Sequence, residues 1–237
     1  MAGTDYAKNA VRAAFSSDGP PEPLDESTAM IRSARGVIAL AFVAVGACAT
    51  AAMSTATSPS PASAQLHDGM RKLWSDHVVW TRLYIIAAVA GDASAQTAAN
   101  RLLRNQEDIG NAIAPYYGAA AGTQLTNLLK QHILIAVDLV AGAKAGDQAK
   151  VADADRRWHA NADDIATFLS GANPNWPKAT VLAMLNQHLA LTTQEATARI
   201  QGRWADDAST FDSIFSQILG MADALSDGIV KQFPNRF

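Results

Sequence analysis

Residues 77–92 read HVVWTRLYIIAAVAGD, residues 132–147 read HILIAVDLVAGAKAGD, and residues 188–203 read HLALTTQEATARIQGR. Each stretch opens on a histidine, carries apolar residues at steps of three and four, and meets a glycine fourteen residues on: Gly91, Gly146 and Gly202. Such steps keep apolar side chains on one face of an α-helix, and glycine ends a helix with least strain. The histidines are 55 and 56 residues apart, which gives the chain a period near 55. Beyond the first two glycines, Arg101 and Arg156 follow ten residues later. Asn105-Gln106-Glu107-Asp108-Ile109 then matches Asn161-Ala162-Asp163-Asp164-Ile165, with a weaker echo at Met221 to Leu225. The pattern predicts an all-α, six-helix antiparallel bundle of three αα-hairpin repeats, over about 66–117, 118–176 and 177–237.

The breakers set the helices: 66–90, 93–114, 119–145, 148–170, 178–201 and 204–232. Asn173-Pro174-Asn175-Trp176-Pro177 cannot be helix interior, because its prolines lack amide protons. Trp176 in that loop is expected to plug the end of the bundle or to meet a partner.

Upstream of Leu66 the composition changes. Arg32 and Arg35 precede an uncharged run, Val37 to Ala47, which reads as the n-region and h-region of a signal peptide over 30–48. Residues 1–29, acidic and containing Gly19-Pro20-Pro21-Glu22-Pro23, read as a disordered tail or a misassigned start. Val45-Gly46-Ala47-Cys48 resembles a bacterial lipobox, whose cysteine is lipidated, while Ala47-Cys48-Ala49 and Ala62-Ser63-Ala64 satisfy ordinary signal peptidase. Lipidation, simple secretion and an uncleaved anchor are the three outcomes this segment allows. The Ser/Thr/Pro/Ala stretch 49–65 would tether the domain. The expectation is an exported protein of the periplasm, cell envelope or secreted fraction, in contact with membrane only through its signal or lipid anchor.

Composition narrows the function classes. Half of the 237 residues are hydrophobic (49%) and 17% are charged, enough to bury one sizeable core. Acidic residues outnumber basic ones by 22 to 19, and the basic ones are scattered at helical spacing, so the footprint of a nucleic-acid binder is missing. Cys48 is the only cysteine, and packing rather than a disulfide must hold the fold. The sequence has no phosphate-binding glycine loop and no Gly-x-Ser-x-Gly elbow. Acidic pairs such as Asp206/Asp207 read as solvated helix surface.

His77, His132 and His188 fall on apolar stripes, so all three are expected to be buried at one level. A buried imidazole needs partners for its nitrogens. Asn105 and Asn161 lie on the inner stripes of the following helices, with Asp108 and Asp164 three residues on. One reading makes each histidine a lock between the two helices of its hairpin. The other has the three histidines converge with Glu195 to bind a transition metal ion (zinc, iron, manganese or copper) or a small ligand. Glu195 stands where the other copies have Tyr84 and Leu139, and a surface pair with Arg199 is the alternative for it.

The stretches His77 to Arg82, Ala160 to Ile165 and Gly228 to Phe237 resemble a family of secreted all-α proteins from soil and environmental bacteria, without an established activity. Some members carry glycosyltransferase names, but the α/β nucleotide-binding units of such enzymes are missing here. The resemblance implies export and an all-α fold, and it supplies no catalytic residues. The expected function is a non-enzymatic binding or interaction module of the envelope or secreted fraction. The alternative is a metal- or cofactor-binding bundle using the buried histidines.

Overall fold

A computed structural model describes residues 59–237, and residues 1–58, with the segment expected to be a signal, Cys48 and most of the stretch expected to be a linker, lie outside the described residues. Six helices follow one another: α1 Pro61–Ala90, α2 Ser94–Tyr117, α3 Ala119–Ala145, α4 Gln148–Ala172, α5 Lys178–Ile200 and α6 Trp204–Gln232. A short 3-10 turn, Pro234–Arg236, ends the chain. α1 starts five residues earlier than the apolar pattern implies, because Ser60 accepts the Ser63 amide at 3.1 Å and Pro61 opens the first turn. α2 runs through Pro115 to Tyr117, since a proline in the last turn removes only one amide.

Neighbours in sequence pack antiparallel in space, α6 returns to α1, and α1, α3 and α5 also touch one another. The result is a closed six-helix bundle with the odd-numbered helices toward its axis. Gly91, Gly146 and Gly202 turn the chain at one end, with φ of 74°, 70° and 69°, in the left-handed region that glycine enters without strain. At the other end the Asn173–Pro177 loop drops Trp176 into the core, 3% exposed, against Tyr117 and over Gly228. The plug reading of Trp176 is thus the observed one. Asn173, fully buried, holds the loop by donating to Tyr117 Oη at 2.8 Å. Among the described residues, no helix is long and apolar enough to cross a membrane.

The α2–α3 crossing is the tightest. A Cβ on Gly110 would lie 2.0 Å from Thr126 Oγ1 and 2.5 Å from the Gly122 carbonyl. Gly110→Ala should therefore cost about 1–3 kcal/mol of overpacking. Gly220→Ala in α6, with nothing within 4 Å, should stabilise by about 0.5–1 kcal/mol. Urea unfolding midpoints of the two variants measure both signs.

Candidate functional site

His77 on α1, His132 on α3 and His188 on α5 are each 3% exposed and meet around the axis. Ring centroids are 5.6 Å apart for His77–His188 and 6.4 Å for His132–His188. Trp74 packs edge-on against His77, and Trp158 lies against His132.

The partners of these rings come from the even-numbered helices. Asn161 Oδ1 lies 2.9 Å from His132 Nδ1, and its amide nitrogen donates to the Leu128 carbonyl at 3.1 Å. Asn161 Oδ1 can only accept, so Nδ1 carries the His132 proton. Nε2 then accepts the Trp158 indole N–H at 3.1 Å. Both nitrogens of His132 are thereby engaged.

For His77 the expected partner, Asn105, is displaced by its neighbour. Gln106 Nε2 stands 3.3 Å from His77 Nδ1, while also donating to the Leu102 carbonyl at 2.8 Å and to Asn105 Oδ1 at 3.1 Å. Asn105 instead donates to the Leu73 carbonyl at 3.0 Å. The two protons of that amide serve the shorter bonds to Leu102 and Asn105, so the longer contact with His77 Nδ1 leaves the His77 tautomer open. On α6, Gln217 Nε2 donates to the Met184 carbonyl at 3.0 Å. Gln217 lies near enough to favour the charged form of His188 slightly, but the buried His188 Nδ1 and Gln217 Oε1 lack hydrogen-bond partners.

One spacing thus recurs three times, although only His77 and His132 have an amide beside Nδ1. Gln106, Asn161 and Gln217 each stand 29 residues after their histidine. The carbonyls of Leu73, Leu128 and Met184, each four residues before the histidine, take an amide from the facing helix. Sequence matching aligned Asn105 with Asn161 but did not find Gln106 and Gln217. Their common distance from the histidine was the signal available.

Burial holds all three imidazoles neutral. It lowers His132 to about 3 and His188 to about 4, and carries His77 well below the usual histidine value, with the neighbouring rings adding to the effect on His77 and His132. The cavity they line measures ≈ 20 Å³, and Thr81, Tyr84, Trp158 and Thr192 share its wall.

The acidic candidates lie elsewhere. Asp108 is half-buried and faces Arg101 Nη1 at 3.8 Å, and Asp164 is exposed on the α3–α4 groove. Neither carboxylate joins the histidines, because each sits on the outer edge of its helix, turned from the axis. Glu195 is buried, 1% exposed, but it meets Arg82 Nη1 of α1 at 2.5 Å, not the histidines or Arg199. Arg82 also grips Asp207 at 2.8 and 3.2 Å, and Arg199 reaches Asp207 at 3.1 Å. The Arg82 guanidinium lies over the Phe211 ring. Asp207, 2% exposed, is therefore no surface acid. Burial raises Glu195 to about 7 despite the opposing pull of Arg82. Among the described residues, no three His, Cys, Asp or Glu side chains are placed to hold a metal ion.

The fold and site define a closed all-α bundle with a neutral polar axis. Compared with known proteins, the chain matches no family profile, no curated protein and no solved structure.

Proposed function

We propose that this chain is an exported helical module, lipid-anchored where Cys48 is processed, which binds a partner of the envelope or secreted fraction through its outer surface and performs no catalysis. The observation that carries the reading is the closure of the axis. The histidines line a cavity of ≈ 20 Å³, room for about one water molecule and for no substrate. Glu195 and Asp207, the buried carboxylates, are bound to Arg82. Outside, Leu134 is 55% exposed beside the α3–α4 groove, and Trp204 is 59% exposed. Export rests on the Arg32/Arg35 and Val37–Ala47 pattern and on the resemblance to secreted bacterial proteins. We also read the bundle as three copies of one hairpin, on the 29-residue histidine-to-amide spacing and the three glycine turns.

A metal-binding reading draws on the convergence of the three rings at 5.6 and 6.4 Å. His132 weighs against it, since neither of its nitrogens retains a free lone pair. Protein purified from its native compartment separates the two. The module reading expects less than about a tenth of an equivalent of any transition metal, where a resident site holds about one. Mass spectrometry of the same sample should find a mature N-terminus at or after Cys48. A stoichiometric metal overturns the first reading, and an intact Met1 overturns export.

A further inference from the structure

We propose that the histidine cavity is the binding site of one internal water molecule, held by His77 and His188 together with the Thr192 hydroxyl, and linking α1 to α5 across the axis. Two independent observations point to it. First, Thr192 Oγ1 and His188 Nδ1 are buried without hydrogen-bond partners, and both residues line the cavity. Thr81, Thr123 and Thr167 each donate their hydroxyl to the carbonyl four residues back, at 2.8, 3.0 and 2.8 Å. Thr192 declines that bond, and leaving its hydroxyl unmet would forfeit a free energy that few buried groups forfeit. Second, His77 lines the same cavity from α1, and among the described residues its Nε2 has no hydrogen-bond partner, its one side-chain contact with an amide being at Nδ1.

The size fits the occupant. A water needs about 10–15 Å³ of such space and two to four polar partners, and the cavity offers ≈ 20 Å³ with a hydroxyl and two imidazoles on its wall. A second cavity, also ≈ 20 Å³ and lined by Met70, Trp74, Leu129, Trp176, Leu185 and Met221 among others, turns only apolar surface inward, with the unpartnered indole N–H groups of its two tryptophans outside that surface, and should stay dry. A metal cation is disfavoured here, because no carboxylate joins the rings and His132 is engaged at both nitrogens.

Thr192→Val is the test, because it keeps shape while removing the hydroxyl. With a water in place, the variant loses one of its bonds and the unfolding equilibrium constant should rise about three- to tenfold. A dry cavity reverses the sign, since an unmet hydroxyl is exchanged for a methyl and the constant falls. Oxygen-17 relaxation dispersion of the full chain provides the second readout. Wild type should show one long-lived water that Thr192→Val weakens and that Leu185→Val, on the apolar cavity, leaves unchanged. No long-lived water in wild type, or its replacement by a bound ion on titration with zinc at micromolar concentration, overturns the proposal.

Discussion

Arg82→Ala should cost about 3–5 kcal/mol of stability, because it strips the shared cation from two buried carboxylates. Glu195 and Asp207 are 1% and 2% exposed, and Arg82 reaches both from α1, so one guanidinium ties α1 to α5 and α6. Without it only Arg199 remains for Asp207, and Glu195 is left charged in a dry setting unless it takes up a proton. The cost should therefore shrink toward pH 5, where protonation relieves Glu195. A companion variant, Arg82→Met with Glu195→Gln, should recover more than half of the loss, since it removes charge on both sides of the pair. Urea unfolding at pH 7.5 and pH 5 measures both. A loss under about 1 kcal/mol, the range of a surface pair, would mean that water reaches the quartet.

Acid should unfold the bundle well before its surface carboxylates titrate. An unfolded histidine binds a proton near pH 6.5, whereas the buried rings refuse it down to about 4 for His188 and about 3 for His132, and His77 also lies well below 6.5. A depressed value contributes stability that is present above pH 6.5 and is lost as pH falls through the folded value. Each such proton costs about 1.4 kcal/mol per pH unit. Glu195 acts in the opposite sense. Its raised value, about 7 against 4.5 unfolded, contributes stability below pH 4.5 that is lost as pH rises through 7. Between pH 6.5 and 4.5 the balance is about two protons, or roughly 3 kcal/mol per unit. Over two units that approaches the 5–15 kcal/mol which is the whole stability of a typical domain. The unfolding midpoint in urea should fall steeply across this window. His188→Gln should flatten the slope by about one proton. A midpoint independent of pH from 7 to 4.5 would show that the rings are hydrated and not buried.

Helix positions were legible in the sequence because breakers and apolar steps are local, and five of the six helix starts lie within one residue of the expectation. The level of the histidines was legible for the same reason. Their partners were less so. Asn105 and Gln106 are adjacent and both buried, and about 100° of helix rotation separates the residue that reaches a carbonyl from the one that reaches an imidazole. Periodicity does not resolve a choice of that size. The Arg82–Asp207 contact joins residues 125 apart, across helices at the ends of the chain, and no pattern within either helix marks it. Asp207 sits beside the exposed Asp206 in the first turn of α6, where acids also favour the helix dipole. Local pattern thus gave the wrong solvent exposure for half of that pair.

The return of α6 to α1 has a consequence for the chain's topology. His67 lies 3.5 Å from Asp223 and 3.3 Å from Asp227, and Arg71 pairs with Asp223 at 2.6 Å, so the first turns of α1 are fastened to the last turns of α6. That seam is bonded as the internal ones are, yet no peptide crosses it. A circular permutant opened at Gly118 and joined across the seam would keep every helix beside its present neighbours. Which of the six helices comes first is then a matter of where the ring is opened, and the described bundle itself is a ring without a starting point.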